Sequence, residues 1–336
     1  MAIILAGDIG GTKTLLCLAE QNADGFTTLC EQRFASANYA SFSDVLHEFL
    51  VAAKMDLGDL PVLSSACFGI AGPVRDRQSQ LTNLGWNLNS DRLAEEFNID
   101  KVSLINDFVA VGYGVLGLQP HDLYTLQAGR MIERSPIGVI GAGTGLGEAY
   151  LGWDGDRYKV YPTEGGHTDF APRNDLEIGL LQYLRKRYNR VSVERVVSGL
   201  GIVSIYQFLR DRRASPESAD VAEKVRLWEA GDLNVDVAAA IAISSDRLAT
   251  QTMQMFVEAY AAEVGNLALK LIPRGGLYIA GGIAPKILPL LQGETFLRIL
   301  KSKGRVSPIL EDIPIHVVLN PEVGLIGAML HAASFI

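Results

Sequence analysis

Ile137-Gly138-Val139-Ile140-Gly141-Ala142-Gly143-Thr144-Gly145-Leu146-Gly147-Glu148-Ala149-Tyr150-Leu151 is the stretch whose reading decides the fold. An apolar strand, Ile137 to Ile140, enters a turn with four glycines in seven residues, and a second strand follows from Ala149 to Leu151. A hairpin whose turn carries almost no side chains lets backbone N–H groups close on a ligand. A dinucleotide-binding G-x-G-x-x-G turn is the alternative, but that motif opens a helix, and Glu148 to Gly152 reads as strand. About 130 residues earlier the pattern occurs once before. Ile3 onward is an apolar strand, Asp8-Ile9-Gly10-Gly11-Thr12-Lys13-Thr14 is the turn, and Leu15 to Ala19 is the returning strand. The recurrence predicts an internal duplication with one copy per lobe.

Around these two hairpins strands and helices alternate. Ser65 to Ile70 and Lys101 to Ile105 have strand length, while Ser41 to Ala53 and Asp91 to Phe97 have helical spacing, with Ser90 or Asp91 as N-cap. Phe108 to Leu118 reads as an apolar helix. Beyond Asp169, Asp175 to Tyr188, Gly201 to Arg212 and Thr252 to Leu271 place apolar residues at i, i+3, i+4 and i+7. Asp211 to Asp236 is the most charged stretch and reads as a solvated helical excursion. Gly276 to Ala280 and Ile315 to Leu319 return to strand, and Glu322 to Ala333 is a last helix. This is α/β architecture, and no low-complexity linker interrupts it, so the two lobes are expected to be joined by ordinary secondary structure around a cleft.

Composition narrows the function. The 336 residues are 48% apolar, enough for a large core and typically two domains. Net charge is −8 and no basic run occurs, which argues against a nucleic-acid partner. No apolar segment reaches the roughly 20 residues that span a bilayer. Met1 to Ala6 lacks a basic flank and reads as strand, not signal peptide. The cysteines Cys17, Cys30 and Cys67 are odd in number and set among apolar residues, as expected of reduced core residues in a cytosolic protein. The five histidines form no zinc-like cluster.

Six short segments carry chemistry. At Asp8 to Thr14, paired glycines and two threonine hydroxyls suit an anion, and the preceding acid suits a hydrated Mg²⁺ bridging phosphate oxygens; an ordinary tight hairpin with an Asx-turn is the alternative. It is not a Walker loop, since no G-x-x-x-x-G-K-[ST] is present and a strand follows. The Gly141 to Gly147 turn, with Thr144 central, is best explained as the second phosphate cradle. Asp107 ends a strand, where open α/β sheets place ligands, and is positioned to accept a hydroxyl proton while Asn106 bonds a neighbouring hydroxyl; it reads equally as a helix cap. Glu164-Gly165-Gly166-His167 places a carboxylate and an imidazole on a loop whose glycines permit positive φ, while Glu194 by itself reads as a surface helical acid. A hydrolytic metal centre on His167 lacks a second ligand cluster. Gly281-Gly282 lets adenine or ribose lie on bare backbone, or merely punctuates two elements; Asn83 lies beside Trp86, an aromatic that suits a sugar face or the core.

Together with Glu194-Arg195-Val196-Val197-Ser198-Gly199 and Ile279-Ala280-Gly281-Gly282-Ile283-Ala284-Pro285, these segments resemble, in order and spacing and from end to end, the bacterial glucokinases of the actin-like ATPase superfamily. The resemblance implies a two-lobed, duplicated ribonuclease-H-like α/β fold with a central cleft, with a small domain over 1–115 plus 320–336 and a large one over 116–319. It implies ATP-dependent phosphorylation of D-glucose to glucose 6-phosphate, or of another hexose or amino sugar. Asn83, Asn106, Asp107, Glu164, His167 and Glu194 would hold the sugar, with Asp107 as the base for the 6-hydroxyl. Asp8, Gly10, Gly11, Thr12, Lys13, Gly143, Thr144 and Gly145 would hold the phosphates of ATP, Asp8 would hold Mg²⁺ through water, and Gly281 and Gly282 would border the adenosine. A cytoplasmic homodimer is implied, with no nucleic-acid or membrane partner. The zinc-binding cysteines of the related repressor and kinase group do not follow His167, where Thr168-Asp169-Phe170-Ala171-Pro172 stands instead. Zinc and the DNA-binding branch are therefore not expected. An ATP-driven chaperone or filament subunit on the same core leaves Glu164, His167 and Glu194 unexplained.

Overall fold

The computed structural model describes residues 2–23, 25–232 and 235–336. The chain forms two compact units, Met1–Asp122 with Lys159–Pro162 and Asn320–Ile336, and Leu123–Tyr158 with Thr163–Leu319.

The first unit is built on strands β1 (Ala2–Ile9), β2 (Lys13–Asn22), β3 (Gly25–Ala35) and β4 (Leu63–Ile70), a small ribbon of β5 (Gln78–Leu81) and β6 (Trp86–Asn89), and β7 (Val102–Asn106). The five-stranded sheet runs β3-β2-β1-β4-β7. Its strands β1, β4 and β7 are parallel, with Ile9 beside Ile70 and Ile70 beside Asn106, so their carboxyl ends form one edge. Helix α1 (Phe42–Leu57) starts with a reciprocal capping box between Ser41 and Asp44 and buries Val45, Leu46 and Phe49. Helix α2 (Ser90–Phe97) is capped by Asn89, whose Oδ1 accepts from Asp91 and Arg92 N–H, and not by Ser90 or Asp91 as expected. The earlier residue wins because its amide oxygen reaches two free N–H groups at once. Trp86 is 1% exposed and belongs to the core, not to a sugar face. Helix α3 (Asp107–Gly114) follows β7 directly and stops four residues before the expected end at Leu118.

In the second unit, β8 (Leu123–Gln127), β9 (Ile137–Ala142), β10 (Leu146–Trp153), β12 (Leu277–Ala280) and β13 (Ile315–Val318) alternate with α4 (Asp175–Leu184), α5 (Gly199–Asp211), α6 (Ala219–Glu229), α7 (Val237–Ile243), α8 (Arg247–Leu271), α9 (Leu288–Leu291), α10 (Glu294–Lys301) and α11 (Ser307–Glu311); of β11 (Tyr158–Thr163) only the two end residues belong to this unit. The strand order β10-β9-β12-β13-β8 again places an antiparallel hairpin beside parallel strands, so each unit carries its strand–turn–strand in the same setting. Helix α8 begins at the Asp246 cap, five residues earlier than its apolar pattern, and buries Phe256 and Tyr260 completely. Of the charged stretch Asp211 to Asp236, only α6 is an independent helix, and it buries Val221 and Val225; Leu233 and Asn234, like Met1 of the opening run, lie outside the described residues. No described helix is long and apolar enough to cross a membrane.

Helix α12 (Val323–Ala333) returns to the first unit. It crosses α3 at glycines: a Cβ on Gly114 would strike the Val323 carbonyl, and one on Gly327 the Ala110 carbonyl. The same close packing explains why Lys159–Pro162 belongs to this unit, since Val160 fills the place of a side chain at Gly112.

Candidate active site

Two acids stand at the common carboxyl edge of β1, β4 and β7. Asp107 is the first residue of α3, one place after the cap. The cap itself is Asn106, whose Oδ1 accepts from Phe108 N–H at 2.9 Å and Val109 N–H at 3.3 Å, while its Nδ2 donates to Gly72 O at 3.2 Å. Asp107 is thereby freed from capping, although its Oδ1 also accepts from Phe108 N–H at 2.8 Å. Burial pushes the Asp107 carboxyl up to about 6, opposed by the Phe108 N–H and reinforced by the negative charge of Asp8. Burial also raises Asp8, against the pull of Lys13, and the carboxylate of Asp8 accepts no hydrogen bond among the described residues. The start of α12 approaches it, with Asp8 oxygens 3.6 and 3.9 Å from where a Cβ on Gly324 would stand. A helix N-terminus favours a carboxylate there.

The turn after Asp8 closes by Gly10 N–H donating to Lys13 O at 2.9 Å. Ser36 braces it from behind: its N–H donates to Thr12 O, its hydroxyl donates to Gly10 O at 2.9 Å, and it meets the Thr14 hydroxyl at 3.0 Å. Gly11 and Thr12 are exposed, and the Asn83 amide lies 3.9 Å from the Cβ position of Gly11.

In the second unit His167 stands between two carboxylates. Its Nε2 is 3.9 Å from Glu164 and its Nδ1 is 4.0 Å from Glu194. Glu194 is therefore not the surface helical acid its sequence context suggested. It sits in a 3₁₀ turn, Val193–Arg195, with its side chain 27% exposed, and its Oε2 accepts from Leu146 N–H at 3.0 Å. The two loops are laced together by Phe170 N–H to Val191 O and Val193 N–H to Thr168 O. Arg190 adds a bond to His167 O at 2.6 Å.

The glycines here are required for space and not, as expected for Gly165 and Gly166, for positive φ, which neither adopts. A Cβ on Gly165 would meet the Glu148 carboxylate, one on Gly166 the Leu146 carbonyl, and one on Gly145 the Glu194 carboxylate. Gly143 has open space where a Cβ would stand, and its carbonyl accepts from Gly199 N–H at 2.8 Å, the first residue of α5. Gly281 is required on both counts: its φ of 81° is left-handed, and the Ala142 backbone occupies its side-chain position; Ile283 N–H donates to Ala142 O at 3.2 Å. The Gly143 turn, the start of α5 and the Gly281-Gly282 turn thus gather at one end of β9.

The structure brings together Asp8, Asp107, Asn106, Gly10 to Lys13 and Asn83 within the first unit. It brings together Glu164, His167 and Glu194, and, with Glu194 against Gly145, also Gly143 to Gly145 with Gly281 and Gly282, within the second. The family profile for Glucokinase matches residues 5–335. The chain belongs to the glucokinase family. Among its relatives, the glucokinase of Nostoc punctiforme is 53% identical over 99% of both chains. The crystal structure of a glucokinase from an Antarctic psychrotroph superposes with a TM-score of 0.82, 30% identity and 99% coverage of each chain. A glucokinase of a second group, from Streptomyces griseus and solved with glucose and AMPPNP, shares the fold at a TM-score of 0.64 and 18% identity, over 99% of this chain and all of that one.

Sequence reasoning missed Ser36 and Glu148. A serine after an edge strand and a glutamate inside a strand carry no motif, and only the fold shows the turns they stand behind.

Proposed function

We propose that the chain transfers the γ-phosphoryl group of ATP to the 6-hydroxyl of D-glucose. The observation that carries the reading is the pair Asp107 and Asp8 at the carboxyl edge of the parallel strands, with Asp107 raised to about 6. A base is most useful when its pKa lies near the working pH, because it is then both ionised and basic enough to take a hydroxyl proton. Asp107 accepts the proton of the 6-hydroxyl as that oxygen attacks phosphorus, and Asn106 fixes the Asp107 backbone through its cap while keeping one amide proton for a sugar hydroxyl. Glu164, His167 and Glu194 hold further hydroxyls, with Asn83 beside them in role. Positioning of this kind lowers the barrier by converting a two-body encounter into an oriented one.

The exposed turn at Gly10 to Lys13 and the turn at Gly143 to Gly145 offer backbone N–H groups to the phosphates of ATP, and α5 begins beside the second. Gly281 and Gly282 border the adenosine. Asp8 fits a Mg²⁺ held through water: it is half-buried, and its carboxylate has no hydrogen bond among the described residues. No cluster of three or more ligating side chains occurs among those residues, which suits an ion that keeps waters and phosphate oxygens as its other ligands. When bound, that ion neutralises charge on the transferring phosphoryl group. The reading includes a small domain over 1–115 with 320–336 and a large one over 116–319, a cytoplasmic enzyme of glycolysis, and a homodimer.

The test is ADP release with ATP against a panel of glucose, mannose, fructose and glucosamine. Glucose is expected to give the highest kcat/KM, and Asp107→Asn to lower kcat with every sugar. Wild-type turnover in folded Asp107→Asn protein would remove the base assignment, and a higher kcat/KM for another sugar would replace glucose with that sugar.

A further inference from the structure

Beneath the Glu164–His167 turn lies a carboxylate that the reaction does not use. Glu148, on β10, is 3% exposed. One of its oxygens occupies the space of a side chain at Gly165, so the turn rests directly on it. The other oxygen, Oε1, is buried with no hydrogen-bond partner. The Thr163 hydroxyl donates to Glu148 O at 3.0 Å and accepts from Gly165 N–H at 3.2 Å, tying strand and turn on the backbone side as well.

The groups around Glu148 come from helix α8, from the segment after α10 and from the turn. Glu263, 5% exposed, is a like charge; its Oε2 accepts from Asn266 at 2.9 Å and its Oε1 lies 3.7 Å from Lys270. Lys303 reaches the same cluster through Asn266 and the Ala262 carbonyl. Tyr260, whose hydroxyl accepts from Ala142 N–H at 3.3 Å, is also within its field. On the turn side, Glu164 is exposed. Burial and the Glu263 charge together raise the Glu148 carboxyl to about 7, with Lys270 pulling the other way. An ionised Glu148 would be a second buried negative charge beside Glu263, with one oxygen unpaired and the other directly beneath Gly165 of the turn.

We propose that Glu148 is a positioning residue for the sugar: its protonated side chain supports the Gly165 turn, and loss of that proton loosens the turn and weakens sugar binding. This rests on the reading that Glu164 and His167 hold the sugar. It follows that sugar binding in mildly alkaline solution is accompanied by proton uptake at Glu148, because the ordered turn favours the neutral acid.

The test is the pH dependence of KM for glucose at saturating ATP, together with calorimetry of glucose binding at pH 8 in two buffers of different ionisation enthalpy. In the unmodified enzyme KM is expected to rise above pH 7, by up to about tenfold per pH unit, with kcat changing far less. Glucose binding should take up about one proton. Glu148→Gln, which keeps the shape of the neutral acid, should flatten the KM profile and abolish the uptake. Lys270→Met, an exposed change that removes the opposing positive charge, should move the rise to higher pH, and Glu263→Gln should move it lower. A Glu148→Gln enzyme that keeps the rise, or a Lys270→Met enzyme whose rise does not move, would overturn the proposal. Glu164→Gln separates the two readings. An unchanged KM there defeats the sugar-binding turn itself, whereas a raised KM there with an unaltered profile in Glu148→Gln defeats only the role of Glu148.

Discussion

The turn after β1 and the turn after β9 are two copies of one device, and their differences are where the chemistry lies. In the first, an acid, Asp8, precedes the glycines, and the turn is braced from behind by the hydroxyls of Ser36 and Thr14. In the second, Gly141 stands in the place of Asp8, and the brace is a carboxylate from far along the chain, Glu194, on Leu146 N–H. Duplication supplies the scaffold twice. Each copy then acquires its charge from a different source, the first from its own strand and the second from a distant loop.

Substitutions can break this contrast. The largest effect is expected at the acid-bearing edge, where Asp107→Asn should lower kcat by roughly 10²–10⁴ while leaving both KM values within a few fold. The same change should stabilise the fold. A carboxyl raised by burial binds its proton more tightly when folded, so its ionised form costs stability above pH 6, and that cost disappears as pH falls below the unfolded value near 4. Asp107→Asn is therefore expected to gain about 1–3 kcal/mol at pH 7.5 in denaturant unfolding and nothing at pH 4. In the unmodified enzyme kcat should fall as pH drops below about 6, following protonation of the same group.

Next in size is Gly145→Ala. The new methyl would displace the Glu194 carboxylate from its N–H partner, and KM for glucose should rise about tenfold or more, a loss of one or two charged hydrogen bonds. Gly143→Ala sharpens the contrast, since no described residue lies within 4 Å of that methyl. Its melting temperature should match the unmodified protein, and any rise in KM should be confined to ATP; a rise for glucose alone would assign the second turn to the sugar. Smallest in activity is Ser36→Ala, which strips the brace of the first turn. A loss of about 1–3 kcal/mol in unfolding is expected there, with kcat reduced less than at Asp107.

Much of the fold was legible in residues alone because the two hairpins and the helical runs are periodic. The placement of Asp107 at a strand end, and of Glu164 and His167 about paired glycines, was legible as well. What stayed hidden depends on contacts across the chain. The cap of α2 went to Asn89 by geometry that Ser90 and Asp91 also advertise. Glu194 looked like a surface acid because nothing local shows that Leu146 N–H awaits it. Gly165 looked like a glycine kept for positive φ, but its missing side chain makes room for Glu148, which the alternation of β10 disguises as an ordinary strand position.

The crossing of α3 and α12 sets the order in which a ribosome can finish this protein. The backbones touch at Gly114 and Gly327, so the face of α3 that meets α12 has no partner until α12 has left the exit tunnel. Apart from Leu123–Tyr158, the second unit is one continuous stretch, Thr163–Leu319, and is fully synthesised before α12 emerges. The unit begun first is thus completed last. A chain cut short of α12 would carry a finished second unit and a first unit with bare helix backbone at Ala110 and Gly114.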